Sequence, residues 1–142
     1  MPASLQIKEI AASQTWPLRH QVMWPDKPVT FVQLPEDAEG VHFGAFLGQE
    51  LVAVVSLFRQ GEQEAQFRKF ATLQRYQGQG IGRQLLGHVF AHASSRQLTL
   101  VWCHARSSAA AFYQKLGMQV AGAPFVKNGG EYVRMERWLT RA

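Results

Sequence analysis

The chain of 142 residues and 16.0 kDa has the length of one folded domain, so we expect a single domain over residues 1–142. Hydrophobic residues make up 46% of it and charged residues 18%, which excludes an intrinsically disordered protein. The formal net charge of +5 would help to attract an anionic partner such as nucleic acid, but Lys and Arg never form a run of three, so a polyphosphate cofactor or plain solubility explains the excess as well.

Nothing in the sequence indicates secretion or a membrane. The single cysteine, Cys103, lies in the apolar run LTLVWCHA and is expected to be buried and reduced. The N-terminal residues lack a basic segment followed by an apolar one, and no apolar run approaches the ~20 residues of a membrane span. We therefore expect a cytoplasmic protein.

The first 40 residues predict one strand, one helix and a long loop. Alternation over Leu5 to Ala12 indicates a strand, and Ser13 is the expected N-cap of a helix that ends before Pro25. Prolines and the acidic run EDAEG then predict a loop up to Gly40, in which VTFVQL is a candidate extended piece. Long loops in compact domains are often binding surfaces.

The middle of the chain predicts an antiparallel meander. The run VHFGAFLGQELVAVVSLFRQ reads as two strands joined at Gly48, the second of them apolar on both faces and therefore central. A turn at Gly61 leads into QEAQFRKFATL, a third strand with an expected irregularity near Lys69.

The second half predicts a helix, a strand, a helix and a strand. Apolar residues recur at helical spacing from Ile81 to Ala93, QLTLVWCHA is a buried strand, SSAAAFYQKLG is a helix that Gly117 ends, and EYVRMERWL is a last strand. The expected fold is therefore a mixed α/β domain.

Three glycines at alternate positions stand immediately before the first of these helices, in RYQGQGIG. Without Cβ atoms, Gly78, Gly80 and Gly82 bare the main chain and permit positive φ, and a helix N-terminus attracts anions. The stretch thus predicts a pyrophosphate site, with a ligand-free turn as the alternative. It lacks the Lys and Ser or Thr of a Walker loop, and its third glycine falls one residue early for a dinucleotide fingerprint.

The segment from Thr72 to Gly82 has the form hydrophobic-x-x-x-x-[Q/R]-x-x-G-x-[G/A], with Thr72 in the hydrophobic place. This form resembles the acetyl-CoA signature of the GNAT superfamily of N-acetyltransferases. A second segment, AAAFYQKLGMQVAG, resembles the superfamily's A-x-x-F-Y-x-K-L-G-F element, with Met118 in place of the aromatic residue. The two segments and the order of elements around them extend the resemblance over nearly the whole chain.

The resemblance implies a fold and a donor site. The implied fold is a mostly antiparallel sheet of six or seven strands with about four helices, splayed between strands 4 and 5. Acetyl-CoA would be the co-substrate, with no metal. The residues expected to bind it are Phe70, Ala71 and Thr72, through main-chain groups, and Gln77, Gly78, Gln79, Gly80, Ile81, Gly82 and Arg83, around the pyrophosphate.

The resemblance also implies catalytic roles. Tyr113 would protonate the departing thiolate, although a packed tyrosine is the alternative. His104, at the end of the buried strand, is a candidate base, with a structural histidine as the alternative. Glu64, Glu131 and a chain of waters are the other candidates for the base.

The acceptor is expected to be a primary amine of a small molecule or a peptide. Arg106 stands where many members carry an Asn that helps to hold the cofactor, which leaves that contact open. The segment LRHQVMWPDKP resembles a subset of small bacterial members, in which Arg19 and His20 would lie near the acceptor, although a surface helix explains both residues equally well. The run PEDAEG, with Glu131, favours a cationic amine.

Two other classes of function remain open at this stage. One is an acyl-CoA-binding sensor without catalysis, and the other is nucleic-acid binding, which is the less favoured. A homodimer is possible. His88 and His92 are four residues apart but lack the Glu of a metalloprotease motif, so we expect them to face solvent and to bind no metal.

Overall fold

The computed structural model describes residues 4–139. Seven strands and three α-helices follow one another, with short 3-10 helices in the loops. They are β1 (Leu5–Ile10), α1 (Ala12–Met23), β2 (Val41–Leu47), β3 (Glu50–Arg59), β4 (Glu64–Thr72), α2 (Ile81–Ser95), β5 (Leu100–Arg106), α3 (Ala110–Gln114), β6 (Gln119–Lys127) and β7 (Gly130–Trp138).

All seven strands belong to one sheet in the order β1-β2-β3-β4-β5-β7-β6. The β4 and β5 strands are parallel, whereas the pairs β1–β2, β2–β3, β5–β7 and β6–β7 are antiparallel. The parallel pairing covers Glu64 to Gln66 on β4 and Leu100 to Trp102 on β5. This confirms the expected mixed α/β fold and its splay between strands 4 and 5.

The structure corrects the expected number of helices. Residues 4–139 form three α-helices, one of them only five residues long, where the resemblance implied about four helices. The loop between α1 and β2 forms 3-10 helices at Val29–Val32 and Asp37–Glu39, so the extended piece expected in VTFVQL is wrong.

The chain divides into two compact units. Unit 1 comprises the residues up to Phe58 together with Lys69–Val89, and unit 2 comprises Arg59–Arg68 together with the residues from Phe90 onward. In unit 1, β3 is buried without interruption from Val52 to Phe58, which confirms its central place. The side chains of α2 that repeat every four residues are also buried, as the apolar pattern predicted.

A different residue from the one predicted caps α1. The N-cap is Ala11, whose N–H donates to Gln14 Oε1 at 2.8 Å, so Ser13 is not the cap. The reciprocal bond from a glutamine three residues onward is one half of a capping box, and it satisfies a main-chain donor that α1 itself leaves free.

A buried ion pair connects α1 to the following loop in unit 1. Arg19 donates from Nη1 to Asp37 Oδ2 at 2.9 Å and from Nη2 to Asp37 Oδ1 at 3.0 Å, and both side chains are buried. Arg19 also donates to the Val32 carbonyl and to Ser56 Oγ on β3. Arg19 is therefore neither a surface residue nor free to bind an acceptor.

Histidine and tryptophan side chains complete this network. His42 Nε2 lies 2.8 Å from the Asp37 carbonyl, which can only accept, so Nε2 carries the proton and Nδ1 accepts from Ser56 Oγ at 2.7 Å. Trp16 Nε1 donates to Asp37 Oδ2 at 3.0 Å. The carboxylate of Asp37 thus fixes the loop to α1, and its main-chain carbonyl fixes the loop to β2.

In unit 2, Gly117 ends α3. The Met118 N–H donates to the Tyr113 carbonyl and the Gly117 N–H to the Gln114 carbonyl, while Gly117 has φ of 84°. This is a Schellman motif, in which glycine supplies the left-handed residue without a steric penalty. It confirms Gly117 as the terminator predicted from sequence.

The β6–β7 hairpin of unit 2 turns at Asn128 and Gly129, which have φ of 49° and 76°. Two positive φ values in a two-residue connection are typical of a type I′ turn, for which Asn-Gly is the preferred pair. The sequence pattern did not predict β6, although the Asn-Gly dipeptide is the signal that marks this hairpin. Among residues 4–139, no helix is long and apolar enough to cross a membrane.

Candidate active site

The end of β4 has irregular main-chain geometry in the segment expected to bind pantetheine. Lys69 has φ of 57°, a left-handed conformation that is uncommon for a residue with a Cβ atom. Such a residue interrupts regular pleating, and it confirms the irregularity predicted there. Phe70, Ala71 and Thr72 follow it in unit 1, with Ala71 buried and its two neighbours half-buried.

The glycine loop leaves its main chain open to solvent. Gly78 and Gly80 have φ of 78° and 81°, and a Cβ atom added to either would meet nothing within 4 Å. Gln77 to Gly80 are all exposed, and α2 begins immediately afterwards at Ile81. The first N–H groups of a helix have no partner within it, so the loop and helix together offer donors to an anion.

Gln77 holds the loop against the end of β4. Its Nε2 donates to the Thr72 carbonyl at 3.0 Å, which joins the first and sixth positions of the signature. Farther along, Gly80 accepts the first helical bond from the Gln84 N–H. Arg83 is the third residue of α2, and its side chain is exposed.

The sequence pattern explained Gly82 by positive φ in an open loop, and this explanation is wrong. Gly82 is not among the glycines of positive φ within residues 4–139 and instead lies inside α2. A Cβ atom there would stand 2.7 Å from Phe70 Cζ, which is closer than packed atoms approach. Gly82 is therefore needed for the contact between α2 and β4.

The Glu50 carboxylate, which the sequence did not single out, binds the two residues that precede the glycine loop. Glu50, at the start of β3, accepts from the Tyr76 hydroxyl through Oε1 at 2.7 Å and pairs with Arg75 through Oε2. The partners lie 25 and 26 residues apart, and no spacing rule connects them. This contact could not be found from local patterns.

Tyr113 lies on α3 in unit 2, next to the buried face of the sheet. Its ring centroid is 6.0 Å from that of Phe67 and 5.1 Å from that of Phe112. Burial raises the pKa of the Tyr113 phenol well above its usual value, and the neighbouring Cys103 adds to the shift. The phenol therefore keeps its proton at every physiological pH.

Cys103 itself is no candidate nucleophile. The side chain is buried on β5, and desolvation raises the pKa of its thiol to about 12. A thiol with this pKa stays protonated at neutral pH. This agrees with the buried cysteine expected from the apolar run.

His104 is exposed on β5 among aromatic rings. Its ring centroid lies 5.2 Å from that of Trp102 and 4.9 Å from that of Phe125. Burial lowers its pKa, and the charges of Lys127, Arg134 and Arg68 lower it further. His104 is thus neutral at pH 7, the form that can accept a proton.

The two candidate catalytic side chains lie on opposite faces of β5. Along β5, Val101, Cys103 and Ala105 are buried, whereas His104 and Arg106 are exposed, as alternation requires. Tyr113 neighbours Cys103 and therefore lies on the buried side. Within residues 4–139, the pairing of β5 with β4 ends at Trp102, just before His104.

The alternative bases differ in position. Glu64 on β4 lies 3.8 Å from Arg134, so it is already in an ion pair. Glu131 on β7 alternates with Tyr132 and Arg134, the residues paired with Arg106 and His104, and so lies on the other face of the sheet from His104.

The histidines at positions 20, 88 and 92 contact other parts of the protein. His20 donates from Nε2 to the Lys27 carbonyl at 2.5 Å, which fixes the start of the loop after α1. The ring of the exposed His88 packs at 5.3 Å from that of Phe43, and His92 is half-buried, so the pair is not simply solvent-facing. Among residues 4–139, no three potential metal ligands lie together.

Comparison with known proteins agrees with the fold. The family model described as the acetyltransferase (GNAT) family matches residues 8–118. This chain belongs to that family. An uncharacterized N-acetyltransferase of Bacillus subtilis (strain 168), YitI, is 31% identical to this GNAT protein over 95% of this chain and 97% of its own.

Solved structures show the same fold. A proposed N-acetyltransferase from Lactobacillus plantarum superimposes with a TM-score of 0.87 at 22% identity, covering 96% of this chain and 99% of its own. A GNAT acetyltransferase from Elizabethkingia anophelis, solved with acetyl-CoA bound, gives a TM-score of 0.75 at 19% identity, covering 95% and 98%. The GNAT fold of this chain is thus established from sequence and structure alike.

Proposed function

We propose that this GNAT protein transfers the acetyl group of acetyl-CoA to a primary amine of a small molecule or peptide, by direct attack of the amine on the thioester. The observation that carries the proposal is the open glycine loop at the start of α2, where nothing would meet a Cβ atom at Gly78 or Gly80. The name of the Bacillus relative and the acetyl-CoA in the Elizabethkingia structure support it.

In this proposal the loop binds the pyrophosphate of the donor. Main-chain N–H groups at a helix start combine hydrogen bonds with the positive end of the helix dipole. The residues involved are Gln77, Gly78, Gln79, Gly80, Ile81, Gly82 and Arg83, of which Arg83 adds a full positive charge. Main-chain groups of Phe70, Ala71 and Thr72 would bind the pantetheine arm as an added strand would.

The chemistry needs a base that accepts a proton from the amine and an acid that protonates the departing thiolate. The neutral amine attacks the thioester carbonyl carbon, and His104 accepts a proton from the nitrogen as the C–N bond forms. The carbon–sulfur bond then breaks, and Tyr113 donates a hydrogen bond and then its proton to the leaving thiolate. His104 releases the amine proton to solvent, and the Tyr113 phenolate takes one back from solvent, so both side chains return to their starting forms. The products are the acetylated amine and CoA with a free thiol.

The lowered pKa of His104 keeps the imidazole neutral, and the raised pKa of Tyr113 keeps the phenol protonated, so each side chain is in the form that its role requires, although each shift also makes that group weaker as a base or as an acid. A neutral imidazole has an empty site for the amine proton, and a protonated phenol holds a proton for the sulfur. A buried thiolate is itself destabilised by desolvation, which favours its protonation by a nearby donor.

A screen of amines tests the proposal. Amino acids, polyamines, aminoglycosides and peptides are incubated with acetyl-CoA and the protein, and the released thiol is followed with a chromogenic reagent. At least one amine should release CoA at a rate that depends on both substrates. If acetyl-CoA binds and no amine accelerates release, the protein is a sensor of acyl-CoA instead of a transferase.

A further inference from the structure

One face of the sheet in unit 2 combines aromatic rings with positive charge. We call it the cationic–aromatic face. The β5, β7 and β6 strands contribute its members, which are Trp102, His104 and Arg106, Tyr132 and Arg134, and Phe125 and Lys127. Strand pairing places them together, because His104 is opposite Arg134, Arg106 is opposite Tyr132, and Phe125 is opposite Tyr132.

Of the three basic side chains on this face, Arg134 is paired with carboxylates, whereas Arg106 and Lys127 are not, among the residues that the structure describes. Arg134 is committed to carboxylates, with Nε donating to Glu136 at 2.8 Å while its guanidinium stacks 4.0 Å from the Trp102 ring. The charges of Arg106 and Lys127 lie instead over the Tyr132 ring, at 5.7 and 5.0 Å. Both side chains are exposed, and neither Arg106 nor Lys127 forms an ion pair within residues 4–139.

An aromatic ring holds a cation in place but does not neutralise it. A guanidinium over a tyrosine ring keeps its charge and its planar fork of donors, so it can still bind a carboxylate through two hydrogen bonds. Tyr132 therefore orients Arg106 and Lys127 and leaves both charges available to a ligand. The Tyr132 ring is held in turn by Phe125. The centroids of the two rings lie 6.1 Å apart, and the angle between their planes is 23°.

The spacing from His104 to Arg106 matches a small bifunctional molecule. The two residues are neighbours on one face of β5, so their Cβ atoms are separated by about 6.6 Å along the strand. An amine that donates to the imidazole and a carboxylate two or three bonds away can therefore reach both side chains at once. A cationic amine such as a polyamine would instead meet Arg106 and Lys127 with like charge.

We infer that the acceptor of this enzyme is an amine that also carries a carboxylate, such as an amino acid, and that Arg106 and Lys127 bind the carboxylate beside His104. This inference rests on the proposed function and replaces the cationic amine that the acidic run PEDAEG favoured. Asp37 in that run is buried against Arg19 and is not available to bind an amine.

Matched pairs of acceptors test the inference. Each amino acid is compared with its own carboxamide, which has the same skeleton and amine but no carboxylate. The wild-type protein should use the acid with a kcat/KM about 10-fold or more above that of the amide. Arg106→Gln and Lys127→Gln should each lower kcat/KM for the acid, by about 10- to 100-fold for Arg106, and leave the amide little changed.

The exposed Arg96 supplies the control for net charge, because it lies beyond α2, outside the face. Arg96→Gln removes the same charge and should keep the preference for acids. Equal use of acid and amide by the wild type, or equal losses for both in Arg106→Gln, would overturn the inference. Turnover of neutral or cationic amines alone would do the same while leaving the proposed function intact.

A binding measurement decides the question even if no amine is turned over. The imidazole signals of His104, assigned with a His104→Gln variant, are followed by NMR during titration with N-acetylphenylalanine and with its carboxamide. The acid alone should shift the His104 signals, and Arg106→Gln should abolish the shift. Equal shifts from both compounds, or no shift from either, would contradict the inference.

Discussion

The three glycines around the start of α2 serve two physical purposes. Gly78 and Gly80 have positive φ with open space where side chains would stand, so they shape a surface for an anion. Gly82 has helical geometry and is required because the Phe70 ring occupies the space of a Cβ atom. Sequence predicted the loop through the spacing of these residues, but the reason for Gly82 depends on a ring twelve residues earlier.

Gly82→Ala should therefore weaken folding, whereas Gly87→Ala should not. A methyl group at residue 82 would lie 2.7 Å from Phe70 Cζ, and such overpacking costs about 1–3 kcal/mol, against a gain of at most about 1 kcal/mol from the higher helix propensity of alanine. At Gly87, in the same helix, nothing lies within 4 Å, so alanine should raise the free energy of unfolding by about 0.5–1 kcal/mol. Urea unfolding of both variants checks this, and equal stabilities would contradict the packing role.

Tyr113→Phe should lower kcat by about 100-fold or more, because it removes the hydroxyl that protonates the thiolate. The ring that packs against Phe67 and Phe112 is retained, so the affinity for acetyl-CoA should stay close to that of the wild type. Steady-state turnover and calorimetric binding measure the two quantities. An unchanged kcat would remove Tyr113 from the mechanism.

His104→Gln should change the pH profile of kcat/KM. Burial and the nearby charges lower the pKa of His104, so the active neutral form is lost only as pH falls through a value below 6.5. The wild type should therefore show an acidic limb with its midpoint below pH 6.5, and the variant should lose that limb together with most of its activity. Retention of the limb in the variant would show that another group titrates.

At the scale of elements, patterns that repeat along the chain were predictable and isolated contacts were not. The α2 helix and β3 could be predicted because each buries a regular set of apolar side chains. The β6 strand is largely exposed, so no alternation marks it. Arg19 reads as a surface residue until Asp37, 18 positions away, is brought beside it.

Asp37→Asn should destabilise the protein at neutral pH. Burial raises the pKa of Asp37, but the hydrogen bonds from Arg19, the Leu34 amide and Trp16 outweigh this effect, so the pKa lies below the usual value of an aspartate. The ionised carboxylate therefore stabilises the fold above about pH 4, and breaking a buried pair costs about 3–5 kcal/mol.

The stability difference between the wild type and Asp37→Asn should shrink as pH falls through the lowered pKa, because the wild-type carboxylate is then protonated too. Urea unfolding at pH 7 and near pH 3 measures it. Asp26→Asn, at an exposed position of the same loop, is the matched control and should have little effect at either pH. A difference that does not depend on pH would mean that charge is not what Asp37 contributes.

At the scale of the whole chain, the net charge of +5 is best understood through where its cations lie. Arg75 is paired with Glu50 beneath the glycine loop, Arg83 lies at the start of α2, and Arg106 and Lys127 lie on the cationic–aromatic face. Composition predicted an anionic partner without saying which. These positions agree with the proposed donor, which carries a pyrophosphate, and with the inferred acceptor, which carries a carboxylate.

The most direct test of the central claim is to follow an isotope-labelled acetyl group from acetyl-CoA by mass spectrometry, with a panel of amines and the purified protein. The account predicts that the label appears in an amide bond on one class of amine, at a rate that Tyr113→Phe reduces about 100-fold or more. Label that remains on CoA with every amine, although acetyl-CoA is bound, would contradict it.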